Sequence, residues 1–180
     1  LLEIQASRLG ARTDADGNPV LLADQDRRRW DRLLMRRGQA VLQRAEALCE
    51  AAGLPRGPYL LQAAQAACHA CAAHVAQTDW PRIVALYDEL LATQPSPVVR
   101  LNRAVAVAQA RGAAAALPLV QALEAEPALA RYPWLPAVQA DLLARLGRHG
   151  EARTHWRRAA DLTRNVRERA LLLRRAEALP

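Results

Sequence analysis

The chain has no Phe, no Lys, two Ser and three Cys among its 180 residues, and these shortages exclude several classes of protein. The cysteines are odd in number and lack the spacing of secreted domains, so we expect Cys49, Cys68 and Cys71 to be reduced. The sequence contains no Gly-rich phosphate loop, no G-x-S-x-G elbow and no H-E-x-x-H motif. We therefore expect no catalytic residues and no cofactor.

Long apolar runs are also missing. No stretch of about 20 uninterrupted apolar residues exists, which argues against a membrane span, and residues 1–12 lack the basic start of a signal peptide. We expect a cytoplasmic protein without membrane contact. The chain does not begin with Met, and Leu1, Ile4 and Leu9 have helical spacing. This start predicts the last turns of a helix that begins in a longer protein.

Ala and Leu dominate the 52% of residues that are hydrophobic, which favours closely packed helices. Gly147 lies in a predicted helix-turn-helix, and steps back of about 34 residues reach Gly112 and then Thr78, the period of a tetratricopeptide unit. The prediction is an all-α, tetratricopeptide-like helical-hairpin array (an α-α superhelix) with an N-terminal extension helix and a C-terminal capping helix. Its units are about 64–97, 98–132 and 133–166, with a cap at 166–180. The helices predicted for the array are 58–73, 80–93, 97–111, 113–124, 134–146, 150–162 and 166–179.

Two regions are predicted ahead of the array at 58–180. Residues 1–24 form the end of an upstream helix and a linker, with a turn at Asp16–Pro19. Residues 25–57 form a docking or extension helix, for which Asp24 offers a cap and which runs from Arg27 to Ala52. Gly38 is expected to bend or split this helix.

Repeat arrays of this kind leave a groove, so the default function is to hold a polypeptide. Asn102 and Arg103 lie on the helix that normally lines such a groove, and an Arg–Asn pair binds a carboxylate or a backbone amide. With Gln62 and His69 they are candidates for holding a peptide or a linker. The alternative is that Asn102 and Arg103 tie neighbouring helices together.

Cys68-His69-Ala70-Cys71-Ala72-Ala73-His74 contains two thiols and two imidazoles, which suggests zinc. The geometry argues otherwise, because steps of three drift around one helix face, whereas structural sites gather ligands from separate elements. We expect no metal, with Cys71 as a small residue at a helix contact. The alternative is a metal-sensing module.

Arginine is concentrated towards the end of the chain, from Arg153 to Arg175. A basic face of this kind suits phosphates or an acidic protein. Terminal repeats also need a polar outer face for solubility, and no aromatic residues are interleaved to stack on bases. The solubility interpretation is favoured over direct nucleic-acid contact.

Several ordered motifs resemble one family. They are Asp16-Gly17-Asn18, Asp24-Gln25-Asp26-Arg27 with Trp30-Asp31, Gly57-Pro58-Tyr59, Thr78-Asp79-Trp80, Leu86-Tyr87 and Pro95-Ser96-Pro97 with Leu101-Asn102-Arg103-Ala104. Over nearly its whole length the chain resembles the C-terminal tetratricopeptide-like extension of one group of extracytoplasmic-function (ECF) RNA polymerase sigma factors. Arg36-Arg37, residues 65–68 and Arg164 depart from the pattern.

The resemblance implies a regulatory, protein-interaction region that controls promoter-specific transcription initiation. Its implied partners are the protein's own sigma regions and the RNA polymerase core, with a small partner protein of the DGPF type. Promoter DNA is then contacted only through the upstream sigma regions. Asp79 and Trp80 lie in a family motif and are candidates for partner or linker binding.

Asp24, Asp26, Arg27 and Trp30 are interpreted as a hinge and docking element, which caps a helix, forms an internal ion pair and anchors an aromatic ring against the array. A plain capped helix start explains the spacing equally well. At the level of function, the alternative is a free-standing tetratricopeptide-type adaptor that binds a peptide or partner protein and is unrelated to transcription.

Overall fold

The computed structural model describes residues 1–180 and confirms the all-α prediction. Its only β feature is an isolated bridge between Thr13 and Pro19. The helices are α1 (Leu2–Ala6), α2 (Arg32–Ala51), α3 (Pro58–Cys71), α4 (Trp80–Thr93), α5 (Pro97–Arg111), α6 (Ala113–Gln121), α7 (Trp134–Arg145), α8 (His149–Leu162) and α9 (Val166–Glu177). Short 3-10 turns lie at Leu9–Ala11, Leu22–Asp24, Arg27–Arg29, Val75–Gln77 and Pro127–Leu129.

The chain divides into two compact units, Leu1–Gln94 and Pro95–Pro180. In the first unit α1 packs on α2 and α3, α2 packs on α3, and α3 packs on α4. In the second unit each helix from α5 to α9 packs on the next. The arrangement within each unit is consistent with helical hairpins, while the limits of the repeat units remain a prediction.

Three helices begin at side chains that accept hydrogen bonds from the first-turn amides. Asp31 caps α2, Asp79 caps α4 and Asn165 caps α9, and each satisfies amides that have no partner within the helix. Ser96 stands at the N-cap position of α5 but makes no side-chain capping hydrogen bond, and Pro97 at the first helical position has no amide that would need a partner.

The predicted cap at Asp24 is wrong, since Asp24 lies eight residues before α2 starts at Arg32. Asp24 ends a 3-10 turn, and Arg27–Arg29 form another 3-10 turn that Asp26 caps through the amide of Arg28. The predicted helix from Arg27 therefore begins five residues later, at Arg32. The apolar spacing did not reveal this break, because a 3-10 turn and an α-helix place early side chains on similar faces.

Gly38 does not split the helix, since α2 is continuous through it. Gly38 instead allows α1 to approach. A Cβ atom at this position would lie 2.5 Å from Cγ1 of Ile4 and 3.3 Å from its backbone nitrogen. Ile4 is 1% exposed, so this contact anchors α1 on α2.

In the second unit, a cluster of mostly small side chains lies beneath Trp156. Ala137, Ala140, Ala159 and Ala160 are all buried there, and small residues let helix backbones approach closely. Gly112 and Gly147 adopt positive φ values of 90° and 74° in the turns predicted to be equivalent. Glycine is favoured at both positions because residues with a Cβ atom rarely adopt such φ values. No helix is long and apolar enough to cross a lipid bilayer.

Candidate functional site

The segment between α1 and α2 packs on the C-terminal end of α3 through a group of five side chains. We call this group the docking cluster; its members are Arg8, Arg27, Trp30, His69 and Trp80. All five belong to the first unit. Arg8 follows α1, Arg27 and Trp30 lie in the predicted docking element, and His69 and Trp80 lie on α3 and at the start of α4.

Arg27 joins this segment directly to α3. Its Nη1 donates hydrogen bonds to the carbonyl oxygens of His69 and Ala72, the second at 2.6 Å. These carbonyls close the last turn of α3, where backbone acceptors lack partners within the helix and the helix dipole favours a cation. Burial lowers the pKa of Arg27, but an arginine keeps its charge at neutral pH. The contact therefore combines a charge-assisted hydrogen bond with a helix cap.

Trp30 is the aromatic anchor of the cluster. It is 3% exposed, and the guanidinium carbons of Arg27 and Arg8 lie 5.1 Å and 5.7 Å from the centre of its ring. Both distances are within the range of cation–π attraction. Trp30 is therefore packed against other side chains of the unit, while its role as a docking anchor stays a prediction.

His69 adds a second aromatic contact to the cluster. Its ring meets that of Trp80 edge-on, with ring centres 5.2 Å apart, an arrangement that aromatic rings favour. Burial lowers the pKa of His69 to about 4, and the positive charges of Arg8 and Arg27 act in the same direction. His69 is therefore neutral at physiological pH.

The remaining predicted residues of the docking element lie at its surface. Asp24 and Asp26 are exposed, and Asp26 forms its ion pair with Arg28, at 3.0 Å, rather than with Arg27. The expected internal ion pair exists, with a different arginine. Because its partners are exposed, this pair contributes little to stability, and Arg27 is left for α3.

From the sequence, Ser7 and Arg8 were assigned no role. The amide of Asp31 donates to the carbonyl of Ser7 at 2.9 Å, and the buried Ser7 hydroxyl donates to the carbonyl of Ile4 at 2.7 Å. These bonds tie the end of α1 to the start of α2. The available signal was Ser7 beside Arg8, directly after an apolar helical stretch. Helical spacing alone does not indicate a role for either residue.

A groove of about 410 Å³ lies in the first unit, mainly between α2 and α3. Its lining includes Gln39, Glu46, Cys68, Cys71, Asp79 and Arg82, and we call it the α2–α3 groove. Asp79 thus caps α4 and also faces this groove. Side chains of both charges and amide groups give it the chemistry to bind a polar chain segment.

The peptide-holding set predicted from the sequence divides between the two units. Gln62 and His69 lie on α3, and Asn102 and Arg103 lie on α5. Gln62 is partly buried and Asn102 is exposed, while Arg103 is partly buried and engaged in a contact. Their joint role remains a prediction. Nowhere does the structure group three His, Cys, Asp or Glu side chains so as to hold a metal ion.

Comparison with known proteins gives two similarities. Residues 1–46 match a family model described as a family of unknown function, DUF6596. The chain is also 44% identical over 172 residues to an uncharacterized protein of Rhizobium meliloti (strain 1021). That alignment covers 96% of the chain but 39% of the relative, so the chain spans about two fifths of the protein it matches. No solved structure is significantly similar.

Proposed function

We propose that this chain is the C-terminal regulatory region of an ECF-type RNA polymerase sigma factor, in which the docking cluster sets the activity of the sigma regions. The observation that carries the proposal is the seat of Arg27 on the last carbonyls of α3. The motif that resembles the family, Asp24-Gln25-Asp26-Arg27 with Trp30, supplies both the arginine and its aromatic partner.

The proposed mechanism is positional. In the full-length protein the sigma regions precede α1, and α1 is held by Ile4 against Gly38 and by Ser7 against Asp31. Arg27 and Trp30 then hold the following segment against α3. The sigma regions bind the polymerase core and promoter DNA, and the helical region supplies surfaces for them and for a small partner of the DGPF type. The greater length of the Rhizobium meliloti relative is compatible with such an arrangement.

The decisive experiment uses the full-length protein with Arg27→Gln, assayed by promoter-specific run-off transcription with core polymerase. Gln cannot bridge both carbonyls as a cation, and loss of a charge-assisted contact changes a docking equilibrium by about tenfold. We expect transcript yield to change by about that factor. A fall shows that the docked state supports initiation, and a rise shows that it restrains it.

Arg29→Gln is the matched control. Arg29 is in the same 3-10 turn but is exposed, so its replacement should leave transcription at the wild-type level. Circular dichroism must show that both variants stay folded at the assay temperature. Equal, wild-type transcription by both folded variants would contradict the proposal.

The second candidate function, a free-standing adaptor, is favoured by the α2–α3 groove, whose mixed polar lining suits a peptide. It predicts a different outcome. The full-length protein would show no promoter-specific transcription with core polymerase, and Arg82→Ala in the groove would weaken binding of a cellular partner while Arg27→Gln would not.

A further inference from the structure

Cys68 and Cys71 form a pair of thiols on the last turn of α3. They are three residues apart on the helix, so they share a face, and both line the α2–α3 groove. Both are free, with Cys68 partly buried and Cys71 exposed. Neither has a role in the docking cluster, although His69 lies between them.

We propose that Cys68 and Cys71 are a modification site, at which a peroxide forms an intramolecular disulfide that releases Arg27 from α3. The inference goes beyond the regulatory role proposed above and rests on it only for the consequence in transcription. The disulfide itself and the release of Arg27 are properties of the first unit.

The environments of the two thiols assign the order of events. Gln39 Nε2 donates to Cys71 Sγ at 3.1 Å, and Cys71 is exposed, so a peroxide can reach it. Burial raises the pKa of Cys68 to about 11, with Asp79 and Cys71 raising it further and Arg82 opposing them. Cys71 is therefore the first nucleophile and Cys68 the second.

The chemistry balances with hydrogen peroxide as oxidant. The Cys71 thiolate attacks one peroxide oxygen, the O–O bond breaks, and the leaving hydroxide takes up the proton that the Cys71 thiol had lost and departs as water, giving a sulfenic acid. The Cys68 sulfur then attacks the sulfenic sulfur, the S–O bond breaks, and the hydroxyl leaves as a second water with the Cys68 proton. Two thiols are oxidised by two electrons, and one peroxide is reduced.

The geometry couples this bond to Arg27. Side chains three residues apart on a helix have Cβ atoms about 5–6 Å apart, whereas a disulfide needs about 3.8 Å. Closure must therefore shift the backbone of the last turn of α3. The carbonyls of His69 and Ala72, which accept from Arg27, belong to that turn. Cys71 is the final helical residue, followed by extended backbone at Ala72, so the turn has freedom to open.

The first measurement is mass spectrometry of the full-length protein after treatment with hydrogen peroxide and alkylation of remaining thiols. Trypsin cleavage after Arg56 and Arg82 places Cys68 and Cys71 together on one peptide, 57–82, and Cys49 on another, 45–56. We expect peptide 57–82 to lose two hydrogens and both alkylation sites in most molecules. Cys49 should stay alkylated and is the internal control.

The second measurement is hydrogen exchange of the amides of Arg29, Trp30 and Asp31, all of which are hydrogen-bonded in the docked segment. Oxidation should speed their exchange by about tenfold, as expected for loss of a charge-assisted contact. Cys68→Ser and Cys71→Ser should each abolish this response. Arg27→Gln should still form the disulfide, exchange rapidly before oxidation and respond no further.

Three outcomes would overturn the inference: sulfinic acid on Cys71 without a disulfide, disulfides between molecules instead of within peptide 57–82, or a disulfide with unchanged exchange in the segment. None of these readouts involves transcription. A disulfide that speeds exchange while Arg27→Gln leaves transcription unchanged would retain this inference and reject the proposed function.

Discussion

The two units use arginine in the same two ways, over a tryptophan ring and on the last carbonyls of a helix. In the second unit the tasks are divided: Arg175 lies 5.3 Å from the ring centre of Trp156, and Arg153 donates to the carbonyls of Ala176 and Leu179 at the end of α9. In the first unit Arg27 does both. Loss of one side chain therefore removes two contacts in the first unit.

Buried polar atoms without a hydrogen-bond partner are more concentrated in the first unit. Three of them, Gln25 Oε1, Arg27 Nε and Trp30 Nε1, lie in the docking segment, whereas the second unit has Nδ1 of His149 and of His155. Each unsatisfied group in the docking segment opposes docking by about 1–3 kcal/mol. The cost of these unsatisfied groups lowers the free energy gained by docking, which suits a segment that can be released. The alanine-rich packing around Trp156, in contrast, has the character of a permanent core.

Loss of the two anchoring tryptophans tests this contrast with the largest expected effect. Trp30→Ala and Trp156→Ala each remove a buried indole and should lower the free energy of unfolding by about 3–5 kcal/mol. Exchange measured residue by residue should locate the damage differently. Trp30→Ala should loosen residues 24–31 first, and Trp156→Ala should loosen α8 and α9 together. Identical exchange patterns in the two variants would remove the distinction between the units.

Acid should destabilise the first unit through His69. Its pKa is about 4 in the folded protein and about 6.5 when unfolded, so between these values the unfolded chain binds more protons. Stability from neutral His69 is complete above pH 6.5 and is lost as the pH falls to about 4. The expected loss, reduced for partial solvent exposure, is on the order of 2 kcal/mol.

The measurement is urea unfolding at several pH values in that range, for wild type and His69→Gln. The difference in the free energy of unfolding between wild type and His69→Gln should fall as the pH is lowered from 6.5 and level off below pH 4. His155→Gln is the matched control in the second unit. Burial also lowers the pKa of His155, but Glu124 and Glu151 oppose that shift, so its pH dependence should be weaker. If His69→Gln and His155→Gln changed the pH dependence of stability equally, the strongly lowered pKa assigned to His69 would be contradicted.

The helix caps should show the smallest effect, and one that is equal in the two units. Asp31→Ala and Asn165→Ala each remove a side chain that accepts from two first-turn amides. Each should cost about 1 kcal/mol in thermal or urea unfolding. A much larger loss for Asp31→Ala would mean that the cap also supports docking of the segment before α2.

Most helices were predictable because their limits are set by local chemistry. Pro97, Gly112 and the Asp79-Trp80-Pro81 sequence mark ends that the structure places where the sequence indicated. The start of α2 was not predictable in this way. Three acidic residues, Asp24, Asp26 and Asp31, all have capping chemistry, and only the packed unit shows that Asp31 caps the α-helix.

The sequence pointed to the members of the docking cluster that lie between residues 24 and 31. It did not point to the groups that they contact. Arg27 and Trp30 were predicted to belong to a docking element, with Trp30 as its aromatic anchor, but the ion pair expected of the segment is made by Arg28. The acceptors for Arg27 lie 42 and 45 residues away and are backbone carbonyls. Carbonyls carry no residue-type signal, so no sequence pattern distinguishes them. Arg8 was missed for a related reason, because its contact depends on where α1 ends.

Gly38 makes the first helix adjustable by substitution. The missing methyl group at this position sets the separation at which α1 crosses α2, because Cγ1 of Ile4 occupies the space of a side chain. Ala would push α1 outwards and Ser further, while the capped helix beneath remains intact. A graded series at this one position would therefore give engineers a set of proteins whose leading helix is held with progressively lower affinity.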